Sequence, residues 1–149
     1  MAKYSASGDQ NLSATAITAL NAASPATVRR MKVYDLMVAD AGTPADLAVI
    51  HVLQRTTASG TATAVTPTKL DMADPVASAV TGENHTVEPT YTAAEELLEV
   101  PINTRATFRW VSAPGSEIVT PATSSAGWGM KSSHASATTL WRVTTLWEE

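Results

Sequence analysis

Three histidines come first, because imidazole can serve as a metal ligand and as a general acid or base near neutral pH. His51, His85 and His134 stand far apart, and none has the HExxH spacing that puts two ligands on one helix face. Only His85, in GENHTVEPTYT, has carboxylates close by in the chain, Glu83 and Glu88, and that stretch reads as a loop. Asp71 and Asp74 in KLDMADP are the next pair to weigh. A calcium loop needs oxygen ligands at regular spacing, as in DxDxDG, whereas Met72 and Ala73 intervene here. Glycoside hydrolysis needs two carboxylates at a defined separation in space, and Asp74-Pro75 reads more simply as a turn initiator.

Nucleophiles and phosphate cradles fare no better. APGSE, at 113–117, lacks the G-x-S-x-G spacing of a nucleophile elbow and belongs to a turn. GWGMKSS, at 127–133, has two glycines and Lys131 but not the GxxxxGK[ST] spacing of a phosphate loop. With 0 Cys there is no thiolate nucleophile, zinc–thiolate site or disulfide. The reading is that of a non-enzyme with no catalytic residue, no cofactor and no metal.

Charge narrows the partners. A net charge of -4 argues against a phosphate backbone, whose binding relies on clustered Lys and Arg, so no nucleic acid is expected. No run approaches 18 apolar residues, so no membrane span is expected, and MAKYSASGDQ lacks the apolar run of a secretory signal. A soluble protein made in a cytoplasm is the expectation.

The elements that must position any functional surface read as strands. At 149 residues the chain fits one domain, able to bury roughly 68–70% of its unfolded surface. Much of the 44% hydrophobic fraction is Ala, which gives a thin core and favours packed sheets of short strands with further burial against neighbours. Residues 1–28 are small and nearly uncharged, with Leu12, Ile17 and Leu20 as the sizeable apolar residues. They read as an arm, either extended along a partner or forming a short helix from Ser13 to Ala22 that Pro25 stops. Residues 29–149 read as one β-sandwich domain.

Within that domain MKVYDLMVAD and LAVIHVLQRT are strand-length runs either side of a TPAD turn. Thr43-Pro44 resembles a helix cap, so a helix over Asp46–Gln54 competes, but β-branched Val49, Ile50 and Val52 favour a strand. Gly60 marks a hairpin turn, and Pro67, Pro75, Gly82 and Pro89 punctuate a loop-rich middle. Pro101 makes Glu95–Ile102 an edge strand. Asn103–Ser112 is the clearest strand, with Ala106, Phe108 and Trp110 on one face and Arg105, Thr107 and Arg109 on the other. Ala113–Ser116 turns the chain back, and TTLWRVTTLWEE places Trp141, Val143, Thr145 and Trp147 on one face of a last strand. About eight short strands with turns between them predict an all-β sandwich.

Surface candidates follow from this layout. Phe108, Trp110 and Trp141 are expected to anchor the core. Trp128, flanked by Gly127 and Gly129, reads as a loop aromatic able to stack on a sugar, with Tyr91 as its companion, or to plug a neighbouring subunit. Arg105 and Arg109 could pair with carboxylates of a partner or form an ordinary solvated face.

The runs RRMKVYDLMVADAGTPADLAVIHVLQRTTASGTATAVTPTKLDMADP and NHTVEPTYTAAEELLEVPINTRATFRWVSAPGSEIVTPAT, with the WEE ending, resemble small virion structural proteins of tailed bacteriophages. TPAD, LDxADP, EPTYT and RATFRWVxAPGxE are the most specific signatures. The resemblance spans nearly the whole chain. It implies an all-β fold, a β-sandwich or jelly-roll-like barrel, and a head decoration (cement) protein on the outer surface of the capsid, made in the bacterial host cytoplasm. Its partners would be the major capsid protein and other copies of itself, as a homotrimer. A tail or neck component and a carbohydrate-binding module on the particle surface are the alternatives. Arg105, Arg109, Trp128, Leu12, Ile17 and Leu20 would be the partner-binding residues.

Overall fold

A computed structural model describes residues 1–42 and 45–149. Thr43 and Pro44, where a helix cap was expected, lie outside the described residues. The described residues form twelve strands and no helix. In chain order they are β1 (Lys3–Asn11), β2 (Ile17–Ala23), β3 (Lys32–Asp40), β4 (Ala48–Ala58), β5 (Thr61–Val65) and β6 (Thr68–Lys69). Then come β7 (Val80–Val87), β8 (Thr90–Asn103), β9 (Thr107–Val111), β10 (Ile118–Val119), β11 (Gly127–Ser133) and β12 (Leu140–Glu148).

Two antiparallel sheets result. Sheet A runs β10-β3-β12-β1-β6, with β9 also on β3; sheet B runs β5-β7-β2-β11-β4-β8. Strands with one face inward alternate as the pleat requires. In β12, Trp141, Val143, Thr145 and Trp147 are buried while Arg142 is exposed. One apolar cluster joins Tyr4, Leu36, Val38, Trp141 and Trp147 of sheet A to Leu20, Leu53, Trp128 and Met130 of sheet B. The sheets therefore share a single core.

Several expectations are corrected. Residues 1–28 are not an arm or a helix: β1 pairs with β12 along nine residues, and β2 sits between β7 and β11. The segment looked featureless because β2 is covered on both faces, so its small residues need no alternation. The strand favoured over a helix for Asp46–Gln54 is, by contrast, present, since β4 occupies most of it. GWGMKSS is a core strand and not a loop.

The middle of the chain has an organisation of its own. Residues 48–65 pair with residues 80–103 almost throughout, from Ala48 opposite Asn103, through Ala58 opposite Thr90 and Thr61 opposite Val87, to Val65 opposite Thr81. β4–β5 and β8–β7 are thus one long two-stranded ribbon. It folds at Gly60, whose positive φ of 69° suits glycine, and at Glu88-Pro89. One half then joins sheet B through β4 on β11, the other through β7 on β2.

Candidate docking surface

The outer faces of the two sheets differ in kind. Sheet A satisfies its own polar groups across strands. Ser7 and Thr144 hydroxyls meet at 2.8 Å, Arg142 reaches Asp9 at 3.0 Å, and Lys32 reaches Glu148 at 3.6 Å. Arg109 donates Nε and Nη2 to the two carboxylate oxygens of the buried Asp35 at 3.0 and 2.6 Å. These pairs close much of that face on itself.

Sheet B is covered in part by the ribbon's fold. Glu88 Oε2 accepts from the Thr18 amide at 3.1 Å and from the Thr18 hydroxyl at 2.5 Å. Because that hydroxyl's proton is committed to the carboxylate, Tyr91 donates its own hydroxyl to Thr18 Oγ1 at 2.6 Å. Burial raises the Tyr91 phenol well above its ordinary range, which keeps it the donor. Tyr91 lies over Gly129, where a Cβ would come within 2.5 Å of its hydroxyl, and Lys131 Nζ sits 4.3 Å from its ring centroid. A Cβ on Gly127 would likewise run into the Ala22 carbonyl. The glycines flanking Trp128 are therefore spaces for neighbours and not loop hinges.

Beyond Tyr91, toward the other end of β4 and β11, the outer face is open and apolar. Ala16, Ala48, Ile50 and Val52 line a groove of about 370 Å³ with Lys131, Ser133 and His134 along it. Ile50 is 49% exposed. β4 carries apolar residues on both faces: Val49, His51 and Leu53 are buried beneath, while Ile50 and Val52 face outward. That doubled pattern stands in LAVIHVLQRT, where β-branched Ile50 and Val52 signal a strand but not which face stays open.

Each histidine has a structural position. His51 is fully buried, its ring 4.7 Å from that of Trp141 and its nitrogens without a protein partner, and burial lowers its pKa to about 4. His85 Nε2 meets Asn21 Oδ1 at 3.0 Å, and burial, outweighing the nearby Glu88, lowers its pKa. His134 Nδ1 accepts the amides of Ser136 and Ala137 at 3.1 and 3.0 Å. Among the described residues no three His, Asp or Glu side chains are grouped to hold a metal ion.

The surface residues named from sequence scatter. Trp128, Leu12 and Leu20 are buried in the core and cannot meet a partner, and Ile17, at the start of β2, is half-buried. The Trp128–Tyr91 stacking platform is thereby overturned. Phe108 and Trp110 are half-buried on the edge strand β9, and Trp141 is fully buried. Arg105 follows β8 outside any strand, 3.9 Å from Asp46, and Arg109 is engaged by Asp35. Neither arginine joins the apolar groove.

Comparison with protein-family models, with curated proteins and with solved structures finds no match to this chain.

Proposed function

We propose that this is a non-enzymatic structural protein of a tailed-phage virion, seated as a decoration protein on the outside of the assembled head. The observation that carries the reading is the strand order. Eight of the strands stand as β1-β12-β3-β9 in one sheet and β2-β11-β4-β8 in the other, with β5, β6 and β7 inserted between the partners β4 and β8. That order matches a jelly roll's, an architecture common in viral shells but shared with lectins and cupins, and so supports the reading. What favours the shell among these is the division of labour between faces and the sequence signatures described above. Sheet A's outer face is laced by its own ion pairs, sheet B's is open and apolar beyond Tyr91, and His85 and His134 are engaged by neighbours within the fold.

A protein that binds the assembled lattice and not free capsid subunits stabilises the shell by mass action. Its work is buried area at seams between capsid subunits, so the major capsid protein and further copies of this chain are the partners. The arm mechanism is no part of this reading, because residues 3–11 and 17–23 are interior strands. A cryo-electron-microscopy reconstruction of the particle at side-chain resolution tests the assignment. Density for this chain on the outer shell at threefold or quasi-threefold positions is expected. Density confined to the tail or neck would overturn the decoration role.

A further inference from the structure

The longest exposed apolar feature is the connection between β6 and β7, residues 70–79. Leu70, Met72 and Val76 are 48%, 88% and 70% exposed there. An apolar loop in water would ordinarily be loose, yet this one is tied down on both sides. The Leu70 amide donates to the Lys3 carbonyl at 2.9 Å, and the Lys3 amide to Asp74 at 3.2 Å. The buried Tyr4 donates its hydroxyl to the Pro75 carbonyl at 3.0 Å, and Glu149 accepts the amides of Ser78 and Ala79 at 2.5 and 3.2 Å. Ala77 and Ala79 pack into the core beneath. Both ends of the chain thus hold a fixed apolar knob tipped by Met72, a side chain that adapts readily to a receiving pocket.

The groove on sheet B lies at the opposite end of the molecule. β1 starts at Lys3, beside the knob, and ends at Asn11, opposite Leu140; Ala16 and His134 are at that far end, where the His134 amide meets the Ser13 carbonyl. Nine residues of strand separate the ends by about 27 Å. A knob and a groove at opposite ends of one chain cannot meet within it, but they can meet between copies. The charges agree with this. The knob bears Asp71 and Asp74, while the groove's lining holds Lys131 and no carboxylate. Glu99, opposite Val52 on β8, has its counterpart in Lys69 at the base of the knob.

We infer that the Met72 knob of one copy occupies the Ile50–Val52 groove of the next. This is a heterologous contact, in which two different surfaces meet, so it closes into a ring when the rotation between copies allows. It does not rest on the virion reading and stands or falls in solution.

The test is sedimentation velocity on the full chain and its variants. The native chain should associate at concentrations up to about 0.5 mM, and Met72→Glu or Ile50→Glu should weaken association by about tenfold or more. Mixing the two variants should restore a single contact, the intact knob of Ile50→Glu entering the intact groove of Met72→Glu, and yield a one-to-one dimer. Both positions are solvent-exposed, and retained thermal midpoints will verify folding. Because the chain has 0 Cys, cross-linking gives a second readout. A Met72→Cys chain should form a disulfide with an Ile50→Cys chain and not with itself. A native chain monomeric at about 0.5 mM, a mixture that stays monomeric, or disulfides mainly between two Met72→Cys chains would each overturn the contact.

Discussion

His51 and Asp40 are set to oppose each other in acid. His51 is wholly buried and keeps a pKa of about 4 against an ordinary 6.5, because burial penalises the imidazolium. Asp40 lies opposite Trp141 in the β3–β12 register, its carboxylate oxygens without a protein partner, and burial raises its pKa from 3.8 to about 6. For His51 the unfolded chain takes up its proton first as pH falls. Stability is therefore complete above about 6.5 and is lost down to about 4. A gap of about 2.5 pH units at about 1.36 kcal/mol each corresponds to about 3 kcal/mol. For Asp40 the folded chain takes up the proton first, so stability is complete below about 4 and is lost as pH rises through about 6. Its gap of about 2 pH units gives at most about 3 kcal/mol, reduced to about 2 by its partial exposure.

Between pH 4 and 6 the two contributions nearly cancel in the native protein. Removing one should expose the other. Urea unfolding at intervals from pH 4 to 7.5 should show Asp40→Asn gaining about 2 kcal/mol on the native chain as pH rises from 4 to 7. His51→Leu should lose about 3 kcal/mol relative to the native chain over the same rise, since it lacks the group that acid protonates. Differences between variant and native chain cancel the other carboxylates. Variants whose stability runs parallel to the native profile at all pH values would show that neither group is held in its uncharged form, and the reasoning would fail.

Gly129→Ala should cost about 1–3 kcal/mol, because the added methyl collides with the Tyr91 hydroxyl and forces the ribbon's fold off Thr18; a melting curve within error of native would refute it. Arg109→Ala should lower the thermal midpoint more than Arg105→Ala, since only Arg109 covers a buried carboxylate, and equal or reversed effects would count against that assignment. Deleting residues 1–24 should abolish cooperative unfolding, because it removes β1, paired along nine residues with β12, and β2 from the middle of sheet B; a truncated chain that still melts sharply would contradict the topology.

The legibility of this fold depended on how many faces of a strand were covered. β12 showed its face plainly, because large apolar residues alternate with Arg142 and threonines on a strand with one wet side. β2 showed nothing, because ITALNAA is buried from Thr18 to Ala23 with no wet side to set an alternation, and its paired neighbours β7 and β11 lie more than fifty residues away in the chain. The Gly-Trp-Gly run misled for a related reason. Its glycines answer to Ala22 and Tyr91, which only the folded chain brings near, whereas local reading takes paired glycines for a loop. Arg109 looked free for the same cause, as Asp35 is 74 residues distant. The groove was half visible: Ile50 and Val52 announced an apolar outer face, but only the end of the ribbon's cover at Tyr91 shows that this face stays open.

The signatures that suggested kinship with virion proteins now have physical positions. EPTYT is the ribbon's fold, with Glu88 gripping Thr18, Pro89 in the link and Tyr91 filling the space over Gly129. LDxADP is the knob, where the Asp71 side chain accepts the Ala73 amide at 2.9 Å and Asp74 ties the loop to Lys3. RATFRW turns at Arg105 and Ala106 into the edge strand β9 on β3, where Arg109 pairs with Asp35 and Trp110 packs against the core's flank. Each motif fixes a bend, a loop or an edge, the places where a sandwich meets its surroundings. Two of them, LDxADP and EPTYT, hold in place the Met72 loop and the Tyr91 margin of the groove.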